Sequence, residues 1–223
     1  MERHFDEELK NLKQTLLAMA DSAQSMIGLS IRELVERKEA VREDVLRIEN
    51  GVNHLEVEIE EEVLKLLALR QPAAKDLRLL TAVLKINNDL ERIADQACNI
   101  ADTTVYLLKE PPLSVPLVNI PLMAEVVQKM VRDSIEAFVH HDVELAKKVC
   151  QRDDEVDGIN DQIFRVLLTH MMENPKVITR SVDIILISRN LERIADHATN
   201  IAEEVIFIEE GKNVKHHLDQ NPQ

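Results

Sequence analysis

Residues 90–102 read LERIADQACNIAD, and residues 191–203 read LERIADHATNIAE. The two segments start 101 residues apart (191 − 90) and differ at three pairs of positions: Gln96 and His197, Cys98 and Thr199, Asp102 and Glu203. A second match supports the duplication, because residues 45–63 (VLRIENGVNHLEVEIEEEV) align with residues 149–167 (VCQRDDEVDGINDQIFRVL) at an offset of 104 (149 − 45). Both members of this second pair repeat apolar residues at i, i+3 and i+7, the spacing of one helix stripe. A repeat of about 100 residues is longer than the ~20–50 residues of a solenoid unit, so the sequence predicts two related helical domains.

The composition of the 223-residue chain favours helices. Hydrophobic residues make up 45% and aromatic residues 2%, and no segment shows the alternating β-branched and aromatic pattern of a strand. The net charge of −14 argues against nucleic acid as a partner, because its phosphates require a surface rich in Lys and Arg. No apolar run reaches the ~18 residues of a membrane span, and MERHFDEELK lacks the apolar core of a signal peptide. We therefore expect a cytoplasmic protein with no membrane insertion.

Prolines mark the boundaries of the expected helices. Four of the seven lie in KEPPLSVPLVNIP, residues 109–121, which predicts a linker at residues 111–121. Pro72 and Pro175 each interrupt a helical pattern, and the residue before a proline tends to end a helix. We predict an all-α fold of two tandem three-helix bundles, at residues 1–110 and 122–210, followed by a polar tail at 211–223. The six helices are expected at residues 3–37, 40–70, 73–109, 118–140, 142–172 and 176–210.

Acidic residues share one face of the helix expected at residues 73–109. Glu91, Asp95 and Asp102 are spaced at i, i+4 and i+11 and therefore point the same way, with Cys98 between them and Asn99 beside them. The opposite arc carries the residues expected in the core: Leu90, Ile93, Ala94, Ala97, Ile100 and Ala101. The second half repeats the acidic face with Glu192, Asp196 and Glu203. Thr199 takes the place of Cys98, and Asn200 lies beside them.

Folding each half at its proline brings a second set of acids to the same level. Antiparallel helices rise equally per residue, so residues equidistant from the turn face each other. The pairs expected to come level are Glu49 with Asp95, Asn53 with Glu91, Asp153 with Asp196, and Asp157 with Glu192. Carboxylates crowded in this way are costly to ionise without a cation among them. Oxygen donors favour Mg²⁺, Ca²⁺, Mn²⁺ or oxidised iron, so each half carries a candidate metal site on the outside of its bundle.

These segments, together with LLALRQPAAKDLRLLTAVLKIN (residues 66–87), resemble the PhoU family of bacterial regulators of phosphate uptake. The resemblance runs from FDEELKNLKQTLLAM (residues 5–19) to GKNVKH (residues 211–216). It implies two three-helix bundles and a negative regulator of phosphate-starvation signalling that is not an enzyme. The regulator would act between the Pst phosphate transporter, whose ATPase is PstB, and the sensor kinase PhoR. Family members usually self-associate, so the resemblance also implies a homodimer or a higher homo-oligomer.

The resemblance further implies bound metal ions (iron, zinc, manganese or magnesium) on acid pairs of the form E/D-x-x-x-D. These pairs correspond to Glu91/Asp95, Glu192/Asp196 and Asp153/Asp157. Glu49 departs from the pattern, because it is followed by Asn53 rather than Asp, and this removes one charge from the first site. We therefore expect the second site to bind metal more strongly. The residues expected at the edges of the sites are Asp102, Glu203, Asn53, Asn99 and Asn200.

The residues themselves leave other classes open. A metal-free helical adaptor would use the same acidic faces to dock basic partner residues, and solvated amphipathic helices show a similar stripe. A metal-carboxylate enzyme is a weaker alternative, because no His has a Glu three residues before it and the glycines are too scattered for a phosphate-binding loop. His197 lies off the acidic stripe and is expected at the surface or behind the ligands, and Cys98 is expected to act as a small packing residue.

Overall fold

The computed structural model describes residues 2–37, 41–72, 74–112, 119–211 and residue 214. Over these residues the chain forms six long α-helices and one short 3₁₀ turn, without a strand. The helices are α1 (Glu2–Glu36), α2 (Val41–Arg70), α3 (Ala74–Leu108), α4 (Ile120–His140), α5 (Val143–Glu173) and α6 (Ile178–Glu210), and the 3₁₀ turn at Pro175–Val177 precedes α6. The largest differences from the expected boundaries are two residues, at the starts of α4 and α6, so the predicted helices are confirmed.

Local side-chain chemistry sets several of these helix ends. The carboxylate of Asp142 accepts a hydrogen bond from the backbone N–H of Leu145 at 2.9 Å, which satisfies one of the free donors in the first turn of α5. Asn174 ends α5, and its side chain accepts from the backbone N–H of Lys176 in the 3₁₀ turn. Gly211 closes α6 in the left-handed conformation, with φ of 70°, where a residue without a Cβ is least strained.

The helices pack as two three-helix bundles that share one continuous hydrophobic core. Helices α1, α2 and α3 pack against one another, α4, α5 and α6 do the same, and the halves meet mainly where α3 packs against α6. The residues predicted for the core of α3 are all buried: Leu90, Ile93, Ala94, Ala97, Ile100 and Ala101. None of the described helices combines the length and the apolar character that crossing a bilayer requires.

Polar contacts also join the halves across α3 and α6. Lys85 donates to both carboxylate oxygens of Glu204 at 3.0 Å, and Glu204 is almost fully buried. The imidazole Nδ1 of His197 lies 2.8 Å from Oδ1 of Asp89, and Asn200 donates to the same oxygen at 3.2 Å. His197 is therefore half-buried between the halves rather than at the surface, a position that depends on the helix opposite it.

The expected domain limits, residues 1–110 and 122–210, stay predictions. Residues 113–118, which form the middle of the linker predicted at 111–121, lie outside the described residues. So does most of the polar tail predicted at 211–223, including His216 and His217.

Candidate metal-binding patches

The second and third helices of each bundle turn their acidic faces toward one another on the outside of the molecule. In the second half, Asp153 and Asp157 on α5 meet Glu192 and Asp196 on α6, and we call these four residues the second patch. Asp157 and Glu192 line one open groove between the two helices. The interactions within this set tie each carboxylate to at least one on the opposite helix.

The second patch holds its carboxylates in an environment that disfavours their charge. Burial, followed by the neighbouring charges of Asp196 and Asp157, raises the pKa of Asp153 to about 6. Partial desolvation also raises the pKa of Glu192 and of Asp196, and in both residues the negative charge of Asp157 adds to the effect. A cation placed among these oxygens would remove this repulsion, because it favours the ionised form of every member.

In the first half, Glu91 and Asp95 on α3 face Glu56 on α2. Burial raises the pKa of Glu91, Asp95 adds to the effect, and Arg92 opposes it. Burial raises the pKa of Glu56 as well, followed by the charge of Glu60. The Oε2 atom of Glu91 is buried and accepts no aligned hydrogen bond, although Nε of Arg92 lies 3.3 Å away.

Glu49 lies at the next level of the first half, against Cys98. Burial and then the charge of Glu49 raise the pKa of the Cys98 thiol to about 12, so the thiol stays protonated at neutral pH. The second half repeats this arrangement, since the Thr199 hydroxyl lies 3.5 Å from Oδ1 of Asp153 and donates to it. Cys98 is therefore a buried neutral side chain, in agreement with the expected packing role. We refer to Glu49, Glu56, Glu91 and Asp95 as the first patch.

Some of the residues expected at the edges of the patches interact with other side chains, and the others are exposed to solvent. Asp102 accepts from Nε of Arg42 at 2.6 Å, so its carboxylate is already paired. Asn200 is turned away from the second patch, because its amide donates to the other half. Glu203 lies near Cys150, whose pKa burial and then the Glu203 charge raise to about 11. Asn53 and Asn99 are exposed to solvent on the outer faces of their helices.

Glu56 is a member of the first patch that equal spacing from the turn does not select. Equal distance from the turn at Pro72 selects Asn53 as the neighbour of Glu91. Glu56, one turn further along α2, nevertheless acts on Glu91, because its negative charge contributes to the raised pKa of Glu91. In the sequence, the feature that indicates Glu56 as a member is its position seven residues after Glu49 on the same helix face. Glu56 thus gives the first patch a fourth carboxylate, in place of the one that is missing at Asn53.

The side chains of these patches do not converge into a ready-made metal site. Across the described ranges, no three His, Cys, Asp or Glu side chains come together closely enough to hold an ion. The donor set nevertheless suits a hard cation, because all its charged members are carboxylates with oxygen ligands. The buried, poorly paired Oε2 of Glu91 and the raised pKa of Asp153 mark the points where a cation would have the largest effect. The residues therefore fit a metal ion chemically, with side-chain rotation needed to bind one.

The fold and these surfaces define a class of protein: a duplicated helical bundle with a carboxylate-rich face on each half. The PhoU domain matches residues 16–104 and again residues 120–205. The chain therefore belongs to the PhoU family, which confirms the resemblance seen in its repeated segments.

The relatives match nearly end to end. The phosphate-specific transport system accessory protein PhoU homolog of Pseudomonas aeruginosa is 38% identical over 214 residues, which cover 96% of this chain and 88% of that protein. The homolog of the same name in Aquifex aeolicus is 41% identical over 209 residues and covers 94% of each chain. Membership places the chain in a family of accessory and regulatory proteins of phosphate transport, and neither of these relatives bears the name of an enzyme.

Two solved structures show the same arrangement of helices. The crystal structure of PhoU from Pseudomonas aeruginosa superposes with a TM-score of 0.91 at 38% identity and covers 93% of this chain and all (100%) of that one. The phosphate transport system regulatory protein PhoU from Streptococcus pneumoniae superposes with a TM-score of 0.87 at 26% identity, covering 95% of this chain and 99% of that one. The likeness extends over both bundles and their packing.

Proposed function

We propose that this protein is a negative regulator of phosphate uptake and of phosphate-starvation signalling. It acts in the cytoplasm between the ATPase PstB of the phosphate transporter and the sensor kinase PhoR, and it converts no substrate. The observation that carries the proposal is the match of both halves, over 96% of the chain, to a phosphate-specific transport accessory protein. The absence of a phosphate-binding glycine loop in the sequence agrees with a role in protein contacts.

Deletion of the gene in its own organism tests the regulatory role. We expect phosphate-starvation genes to stay expressed in phosphate-rich medium, because the restraint on the sensor kinase is lost. A plasmid copy of the wild-type gene should restore repression. Normal repression in the deletion strain, with transporter and kinase present and no second copy of the gene, would contradict the proposal.

We further propose that the two patches bind metal ions of the class Mg²⁺, Mn²⁺, Zn²⁺ or iron. The raised pKa of Asp153 and the partial desolvation of Glu192 and Asp196 support this, because each carboxylate gains a neutralising partner when a cation binds. Elemental analysis of protein purified without a chelator or a His-tag measures the metal directly. Less than ~0.1 metal ion per chain would contradict the proposal. A metal ion that stabilises the native protein should stay bound during purification.

A metal-free adaptor is the alternative that a specific observation favours. Arg92 lies 3.3 Å from carboxylate oxygens of both Glu91 and Asp95, which shows that a basic side chain can already occupy the first patch. In that role the patches would receive basic residues of a partner. The elemental analysis separates the two functions, because only the metal-binding protein carries stoichiometric metal.

Self-association is also expected for this protein, as a homodimer or a larger homo-oligomer. Sedimentation velocity over a range of concentrations measures it directly. A single monomeric species across that range would contradict the expectation.

A further inference from the structure

Six large apolar side chains are exposed on the hairpin formed by α5 and α6. They are between 41% and 79% exposed and comprise Phe164, Leu168, Met172, Ile178, Val182 and Leu186. Each helix contributes three at a spacing of four residues, so each set runs along one side of its helix. The two sets lie on either side of the turn at Pro175 and come level with each other, because the helices are antiparallel. We call these six residues the apolar strip.

The apolar strip continues into an acidic groove. Phe164 and Ile185 line the same open groove as Asp157, Asp161 and Glu192. One side of the hairpin therefore changes from apolar near the turn to acidic further from it. Within this groove the lining side chain of opposite charge is Arg189, so carboxylates outnumber cations. The stretch from Asp157 to Met172 spans about 22 Å, the length of a partner helix of roughly 15 residues.

The first half shows that the fold itself does not require the whole strip. At the offset of 104 residues, Phe164 corresponds to Glu60 and Met172 to Ala68. At the offset of 101 residues, Val182 corresponds to Thr81. The two bundles share one helix arrangement, yet these outward positions are polar or small in one and apolar in the other. At the six equivalent positions, the related first half keeps exposed apolar residues only at Leu64 and Leu77, so the complete cluster in the second half points to an interaction surface.

We propose that the α5–α6 hairpin is a docking surface for an amphipathic helix of a partner protein. The apolar face of that helix covers the apolar strip, and its Lys or Arg residues lie over Asp157 and Glu192, whereas Asp161 is already paired with Arg165 at 2.6 Å. Charge complementarity favours a basic helix as the occupant of this groove. A second copy of this chain fits the acidic groove less well, because its own net charge is −14. The surface adds a binding face to the proposed regulatory function. Because Asp157 and Glu192 also belong to the second patch, the proposal applies to the metal-free chain.

A labelled synthetic helix of about 18 residues tests the surface, with Leu at i, i+3, i+4 and i+7 along one end and Lys along the other. Its binding to the full chain is measured by fluorescence anisotropy in buffer with a chelator. The F164E/V182T variant replaces two residues of the apolar strip with their counterparts in the first half. We expect it to weaken peptide binding by about tenfold or more. The matched control, L64E/L77T, changes the exposed apolar counterparts of Leu168 and Ile178 in the first half and should bind like the wild type. A second peptide with Glu in place of Lys should bind at least about tenfold more weakly to the wild type, since it loses the acidic end of the groove.

Three results would overturn the proposal. The first is no binding of the Lys peptide to the wild-type chain, and the second is equal binding to wild type and F164E/V182T when both melt at the same temperature. The third is a wild-type dimer that F164E/V182T converts to a monomer in sedimentation velocity, which would assign the strip to self-association. Failure of the gene-deletion test would leave these binding results unaffected, so the two proposals fail separately.

Discussion

The first and second patches contain the same number of carboxylates, but not at the same positions of the repeat. The offset of 104 residues equates Asn53 with Asp157 and Glu56 with Asn160, so an acid and an amide have exchanged places. Each patch therefore keeps four carboxylates, although fixed repeat positions assign only three to the first half. Counting acids at such positions cannot rank the two patches, since Glu56, one turn away, supplies the missing charge.

The neighbouring arginines do distinguish the patches. Arg92 lies 3.3 Å from both Glu91 and Asp95, whereas the arginines of the second half, Arg189 and Arg193, act on Glu192 less than its carboxylate neighbours Asp196 and Asp157 do. An ion that enters the first patch must displace Arg92 from its partners. The expectation that the second patch binds metal more strongly therefore stands on a different physical basis, competition from a bound guanidinium.

A buried ion pair in the second half also has no charged counterpart in the first. Asp133 is almost fully buried and accepts from Lys129 at 3.0 Å and from Arg152 at 2.5 Å. The equivalent positions of Asp133 and Arg152 in the first half are Leu29 and Ile48, which pack against the core. The first half thus has apolar packing at the place where the second half has an ion pair.

The largest expected effect comes from breaking that ion pair. We expect D133N to lower the free energy of unfolding by about 2 kcal/mol, less than a fully buried pair because Arg152 and Lys129 can still reach water. The D133L/R152I double variant, which copies the first half, should lose less than D133N, because no charge is left unpaired. Urea denaturation of the three proteins measures this, and a double variant less stable than D133N would show that the halves are not interchangeable here.

This effect should depend on pH in a defined direction. Burial acts to raise the pKa of Asp133, but the hydrogen bonds from Arg152 and Lys129 outweigh it and lower the pKa. The stabilisation is therefore complete above the ordinary pKa of an Asp and is lost as the pH falls through the lowered value. The difference between wild type and D133N should shrink in acid, and a difference that grows in acid would contradict this account.

Metal retention compares the patches directly. We expect D196N to weaken metal binding by roughly tenfold or more, and D95N to weaken it less, because Arg92 already competes in the first patch. D196N should also reduce any metal-dependent rise in melting temperature, since an ion that binds the native state stabilises it. Elemental analysis and thermal melts with and without metal provide the measurement, with D102N as control because Asp102 is paired with Arg42. A larger loss in D95N would refute the ranking, and no loss in either would favour the metal-free adaptor.

The repulsion inside the second patch predicts a smaller pH effect in chelator-treated protein. Because burial raises the pKa of Asp153 to about 6, the folded chain binds more protons than the unfolded chain between pH about 4 and 6. The free energy of unfolding therefore falls as the pH rises through this window, by on the order of 1 kcal/mol after solvent screening. D153N should flatten that dependence and be more stable than wild type at pH 7. An unchanged pH dependence in D153N would contradict this account.

The smallest expected effect concerns Arg92 itself. R92Q should destabilise metal-free protein by about 0.5 kcal/mol, because it leaves Glu91 and Asp95 to repel each other. The same change should increase metal binding at the first patch and so narrow the gap between the patches. The matched variant R193Q should do less in both measurements. Titration with Mn²⁺ and chemical denaturation check this, and reduced metal binding by R92Q would show that Arg92 supports the site.

The helices, the duplication and the faces that the acids occupy could all be predicted from the amino-acid sequence. These features follow from local rules: proline ends helices, apolar residues recur with the helical period, and residues equidistant from a turn come level. The family followed from the same repeated segments, because a near-identical motif in both halves of the chain is visible without any tertiary information. Side chains such as Leu90 and Ile93 lie where the period places them.

The pairing of charges, in contrast, became known from the packing of the helices. Glu56 acts on the charge of Glu91, and His197 bonds to Asp89 on the other half, because the neighbours of a side chain are whatever the opposing helix presents within a few ångströms. The helical period fixes the direction of a side chain but not its partner, which depends on the stagger and separation of helices far apart in sequence. For the same reason Arg92 in the first patch and Arg193 beside the second are indistinguishable in the sequence, and the structure separates them.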